Sequence, residues 1–169
     1  IIPPSADQVA LRDADGRLIV VGKRFNAFAA EQWLGADGDD RETAAVRDPD
    51  PLCDRVGCVG DLPEGQSLSL VIDRAAFEED CGRAAIVVSA LTAPADCRAL
   101  VFDERRLALT GAVGLNWDGE RFVVAADRGA LEDRPWSPAP KRPLADRVVR
   151  PGAAAAGADP ADPEEGSGQ

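Results

Sequence analysis

Residues 66–91 read QSLSLVIDRAAFEEDCGRAAIVVSAL, and the fold class follows from this stretch. Leu68, Leu70 and Ile72 alternate with their neighbours, the period of a half-buried strand. Asp73 then stands where a helix cap belongs, ahead of a helix expected over 74–81, with Gly82 at its end. Residues 84–91, AAIVVSAL, form a short continuous apolar run, which suits a strand buried on both faces. Strand, helix and strand in this order predict a βαβ unit with a parallel pair.

Working outward, residues 8–21 (QVALRDADGRLIVV) predict a hairpin around Asp15-Gly16. Asn26 is a suitable cap for a helix over 27–34, closed by Gly35, with Ala29, Trp33 and Phe28 turned toward the hairpin. Residues 36–51 hold many acids among Gly and Pro and read as an exposed loop. Asp37, Asp39, Asp40 and Glu42 lack the residue order of a calcium-binding loop. On the far side, a strand is expected over 98–102, and residues 111–125 predict a second hairpin around Asp118-Gly119. The whole reads as mixed α/β with antiparallel edges.

After residue 126 the composition changes. Residues 132–143 contain four prolines and Trp136, and are expected to run extended across the domain surface. The predicted organisation is a domain over 1–136, with its folded part beginning near residue 7. A Pro-rich basic extension over 137–150 and a disordered acidic tail over 151–169 follow it.

The composition excludes several chemistries. The chain has 169 residues and a net charge of −11, and it contains no His, no Tyr and no Met. Without His there is no Ser-His or Cys-His nucleophile pair and no His-dominated zinc site. The lack of Met suggests a processed product or a piece of something longer. So acidic a chain is a poor general binder of nucleic-acid phosphates. Lys141, Arg142, Arg147 and Arg150 make the 137–150 segment locally basic, able to touch lipid headgroups or phosphate or simply to serve as a solvated linker. No apolar run is long enough to span a bilayer, and no signal peptide stands at the start.

Four cysteines, Cys53, Cys58, Cys81 and Cys97, allow three pairings. Disulfides 53–58 and 81–97 fit an oxidising compartment. A four-thiolate zinc site and four buried free thiols are the alternatives, although the C-x4-C spacing is not that of a zinc knuckle. If the disulfides form, export must be specified by sequence outside this chain.

The remaining acid–base candidates are carboxylates, Lys and Cys. Asp15, Asp73 and Asp118 are expected at turns and caps. Asp103-Glu104-Arg105-Arg106 reads as a solvated loop or a polar site. No dinucleotide-binding, P-loop or nucleophile-elbow pattern is present. No catalytic, cofactor-binding or metal residue is therefore expected.

Four stretches carry a family resemblance: ALRDADGRLIVVGKRFNAFAAEQWL, CDRVGCVG, DRAAFEEDCGRAAIVVSALTAPADCRALVFDERRLALTGAV and DRPWSP. Over residues 7–140 they resemble the C-terminal extracytoplasmic region of ComEC-type competence proteins, inner-membrane channels that import single-stranded DNA. In many of these proteins the region is similar to the metallo-β-lactamase fold, a four-layer αββα sandwich with histidine metal ligands. Here FNAFAAEQWL follows the first hairpin and TAPADC follows the buried strand, with no histidine at either place. The resemblance implies metallo-β-lactamase-like sheets with short helices, an incomplete αββα sandwich without its metal site and without a cofactor. It also implies a periplasmic location, where both disulfides would form.

The leading expectation is a non-catalytic periplasmic domain of a DNA-uptake channel. Its partner would be the remainder of that membrane protein, with at most weak, local, Arg-based contact to incoming DNA. The alternatives are a residual metal-dependent or carboxylate-based hydrolase, and a secreted disulfide-stapled binding module.

Overall fold

A computed structural model describes residues 1–13, 15–47 and 52–127. The expectations for 132–143, 137–150 and 151–169 lie outside the described residues. Among the described residues, nine strands and three α-helices give a mixed α/β fold. In chain order these are β1 (Val9–Arg12), β2 (Leu18–Val21), α1 (Ala27–Asp37), β3 (Leu52–Cys53), β4 (Gly57–Asp61), β5 (Ser67–Val71), α2 (Phe77–Arg83), β6 (Ile86–Ser89), β7 (Leu100–Phe102), α3 (Glu104–Thr110), β8 (Val113–Trp117) and β9 (Phe122–Ala126).

The central sheet has the order β3-β4-β5-β6-β7. β5 pairs parallel with β6, Leu68 facing Ile86, and β6 pairs parallel with β7, Ile86 facing Leu100. The βαβ unit expected from residues 66–91 is therefore present. Its helix begins as a tight 3-10 turn, Arg74–Ala76, before α2. Asp73 accepts the Ala75 N–H at 3.0 Å, as a cap does. β5 is buried on both faces, beyond the half-burial expected of it, because Ser69 and Val71 lie under α2. The Ser69 hydroxyl donates to Asp80 of α2 at 2.5 Å.

The two hairpins are joined by the first two residues of the chain. The Ile1 amine donates to Ala10 O at 2.6 Å, and Ala10 N returns a bond to Ile1 O at 2.9 Å. Ile2 exchanges two 2.8 Å bonds with Val113. The β1–β2 and β8–β9 hairpins thereby form one second layer, and the folded part begins before residue 7, since the Ile2 side chain is buried in the core.

Three apolar clusters define the stacking. Val9, Leu11 and Val21 from the hairpin layer meet Leu68, Leu70, Val88 and Phe102 of the central sheet. On the hairpin's outer side, Ala30 and Leu34 of α1 cover Ala10, Leu18 and Val20. On the sheet's outer side, Phe77 packs on Val71 and Val87. The order of layers is helix, hairpins, sheet, helix.

Several expectations are corrected. α1 runs through Gly35 and two residues beyond it, to Asp37. Gly38, at φ 69°, is the left-handed cap, and its N–H reaches Gly35 O and Leu34 O. The helix buries Ala30 and Leu34, while Phe28 points outward at 71% exposure and Trp33 is half-buried. The first turn is organised by Asp13, which accepts Asp15 N at 2.9 Å and Arg17 N at 2.8 Å. The stretch after α1 contains a 3-10 turn at Thr43–Val46. Arg41 there pairs with Asp39 and donates to Leu18 O at 2.8 Å, fastening it to the hairpin. Residues 103–106 are the start of α3, with Asp103 as its cap.

Candidate functional site

In open α/β sheets, ligands gather outside the carboxyl ends of the parallel strands. Here those ends are Val71 of β5, Ser89 of β6 and Phe102 of β7, followed by Asp73, the 90–99 crossover and Asp103.

Hydrogen bonds close this end of the sheet. Ser89 is fully buried; its hydroxyl donates to Val71 O at 2.8 Å and accepts Leu91 N at 3.0 Å. Asp103 is 7% exposed. One of its oxygens accepts Arg106 N at 3.0 Å and the other accepts Ala93 N at 3.2 Å, so one carboxylate both caps α3 and holds the crossover loop. Arg105 Nε stands 3.8 Å from the same carboxylate. Thr92 donates to Glu104 at 3.4 Å. Ser89 and Asp103 are both bonded to backbone groups, which gives them a structural role in holding strands β5 to β7 to their loops.

Ser89 is the residue here that sequence reasoning missed. Its signal was visible as the one polar side chain inside the apolar run 84–91. Asp103 and Glu104 belong to the cluster that the sequence offers as a solvated loop or a polar site; they lie instead at the start of α3. Deeply buried and doubly hydrogen-bonded, Ser89 has no base beside it to make it a nucleophile.

The cysteines are joined as the oxidising reading expects. Cys53 and Cys58 face each other across the β3–β4 pair, with a Cα–Cα distance of 4.0 Å. Cys81 of α2 is bonded to Cys97 of the crossover at a Cα–Cα distance of 4.8 Å. The second disulfide ties the outer helix to the loop that delivers β7.

The acidic stretch after α1 borders an open groove of about 530 Å³ lined by Glu31, Leu34, Asp40, Arg41 and Glu42, among others. Asp37 is paired with Arg12 and Asp39 with Arg41. Asp37 and Asp39 therefore face separate cations. Among the described residues no three His, Cys, Asp or Glu side chains form a group able to hold a metal ion.

Three carboxyls, Asp39 among them, are held below their ordinary range. Asp39 is lowered by its hydrogen bonds from Arg41, Asp54 by the Gly57 and Val56 amides, and Asp118 by the Glu120 amide with help from Arg121. All three sit at turns, where the shift reflects loop closure and not chemistry on a substrate.

Compared with protein-family models, curated proteins and solved structures, the chain matches none of them.

Proposed function

We propose that the chain is a non-catalytic extracytoplasmic domain of a ComEC-type DNA-uptake channel. The observation that carries this reading is the closed carboxyl end of the parallel strands. In a hydrolase of the layered kind that the sequence resembles, catalytic groups would converge there. In this chain Ser89 and Asp103 bind backbone instead. The helix–hairpins–sheet–helix stacking agrees with the incomplete αββα sandwich that the resemblance implies. Two disulfides suit an oxidising compartment. No helix among the described residues is long and apolar enough to cross a membrane, so anchoring would fall to the remainder of the parent protein.

The test is a deletion of this domain within its parent reading frame, scored by transformation frequency, beside the substitution Asp103→Asn. Loss of transformation on deletion, with retention in Asp103→Asn, is expected. Unchanged transformation on deletion overturns the assignment.

A second reading, a carboxylate-based hydrolase, draws on Asp73, Asp103 and Glu104 standing at one end of the sheet. Chelator-sensitive cleavage of single- or double-stranded DNA by the purified chain, lost in Asp103→Asn, would establish it in place of the first.

A further inference from the structure

Among the described residues β9 pairs with β8 alone, so its other edge is open. Other borders are covered or short. The outer side of β1 exchanges bonds with Ile1, β3 is two residues long, and Arg106 Nη1 takes the Val101 carbonyl of β7 at 2.8 Å. β9 reads FVVAA, five residues without a charge, a proline or a glycine, the devices that blunt an edge.

The ladder bonds fix which groups face outward. Asp127 N donates to Ala112 O at 2.8 Å and Asp118 N to Arg121 O at 3.1 Å. Bonded and unbonded pairs alternate between these ends, so the N–H and C=O of Phe122, Val124 and Ala126 point away from β8. Ile2 agrees with this phase, because it bonds Val113, the residue opposite Ala126, on the far side of β8. Side chains alternate between the faces. Phe122 is buried and Val124 packs on the main core, whereas Val123 is 38% exposed. Arg121 and Asp127 flank the strand on the same face as Val123.

This segment is complementary to itself in one register. When a second β9 is laid antiparallel with Val124 opposite Val124, Phe122 meets Ala126, Val123 meets Ala125 and Arg121 meets Asp127. Large faces small on the core side, and opposite charges face each other at both ends of the solvent side. The outward backbone groups of both copies then find partners. A shift of two residues sets Arg121 against Ala125, or in the other direction Asp127 against Val123. A one-residue shift exchanges the faces, and parallel pairing sets Arg121 beside Arg121. Arg121 binds Asp118 through Nε at 3.0 Å, and its guanidinium fork has further donors for a second carboxylate. Asp127 has no ion pair among the described residues. Asp118 and Glu120 lie in the β8–β9 turn, beyond the strand residues that would pair.

We propose that β9 is a self-association edge, at which a second copy of this chain pairs antiparallel about Val124 and joins the two β8–β9 hairpins into one sheet. The inference goes beyond the proposed function and does not depend on it.

The contact is small, so association is weak and depends on concentration. The test uses the full chain, with sedimentation velocity and amide hydrogen exchange over a concentration series. The Phe122, Val124 and Ala126 amides should exchange freely in dilute solution and become protected as dimer forms, while Val123 and Ala125 stay protected throughout. Arg121→Glu alone and Asp127→Arg alone each set like charges opposite one another, and each should weaken self-association roughly tenfold or more. Mixed in equal amounts, the two variants should associate with each other as the unaltered chain does with itself, since each supplies the charge that the other needs. That recovery also shows both variants to be folded. A chain that stays monomeric across the series overturns the proposal. So do a dimer indifferent to both reversals, a mixture no tighter than its components, and a Val124 amide already protected at the highest dilution, which would mean that the edge is covered within one chain.

Discussion

Gln8 and Asn26 bond to each other as two strand residues would. Gln8 Oε1 accepts the Asn26 N–H at 2.8 Å, and Gln8 Nε2 donates to Asn26 O at 3.3 Å. The Gln8 side chain is fully buried, and Asn26 caps α1 through its own side chain at Ala29 N, 3.1 Å away. A single amide thus sets where the outer helix starts. Gln8→Leu removes both bonds, while Asn26 O keeps its bond from Ala30 N; a loss of about 1–2 kcal/mol is expected, to be read by urea denaturation. A change below 0.5 kcal/mol, roughly the size of an inert surface substitution, would refute this role.

Gly60 fixes the spacing of the two β layers. A Cβ placed there would stand 2.3 Å from Leu11 Cδ1 and 3.5 Å from Val21 Cγ2. Gly60→Ala should cost about 1–3 kcal/mol through overpacking. Leu11→Val, which trims the obstructing side chain, should recover part of that in a double-mutant cycle. Strict additivity of the two changes would mean that the layers separate freely.

Asp103 joins α3 to the crossover. Asp103→Ala removes a cap and leaves Ala93 N without its acceptor, for an expected loss of about 2 kcal/mol. Asp103→Asn keeps one acceptor oxygen and should cost less. Equal losses in thermal melts of the two variants would contradict the double role.

The disulfides should differ in weight. Cys81–Cys97 has a sequence separation of 16 and Cys53–Cys58 of 5. In the chain-entropy account the longer loop is worth about 3 kcal/mol and the shorter one less. The paired variant Cys81→Ala/Cys97→Ala should therefore lose stability near that amount, measured by calorimetry under non-reducing conditions.

Acid should unfold the domain from a defined side. The Asp39, Asp54 and Asp118 carboxyls titrate below their ordinary values. Depressed folded-state values mean that their contribution is complete above the unfolded aspartate value of about 3.9. It is lost as pH falls through the folded values. These carboxyls should make melting temperature drop below about pH 4, with a shallower drop in Asp118→Asn; the Ile1 amine, which burial pushes down to about 6, should add a separate rise in stability as pH goes from about 6 to about 8.

The βαβ centre was legible because each level agreed. An alternating strand, a capping Asp73 and an uninterrupted apolar run all asked for the same topology. The two hairpins were legible from Asp-Gly turns. α3 was not, because ERRLALT opens on charges that read as a loop, although Asp103 followed by strong helix formers was the available signal. The apolar character of Phe28 and its place beside Ala29 point it inward, yet Ala30 and Leu34 fill that face. The Ile1–Ile2 link between hairpins is too short for any periodicity to report. For the candidate site, the sequence pointed to missing imidazoles; that Ser89 and Asp103 bind backbone is visible only in three dimensions.

Arg106 extends from α3 over the Phe102 ring, 4.2 Å from its centre, and donates through Nη1 to Val101 O at 2.8 Å. That carbonyl belongs to the outermost strand, where an unoccupied backbone would invite a stranger to zip on. With a guanidinium already seated there, neighbouring molecules at high concentration find a side chain instead of a template, and ribbon growth is discouraged at that border without help from any other chain.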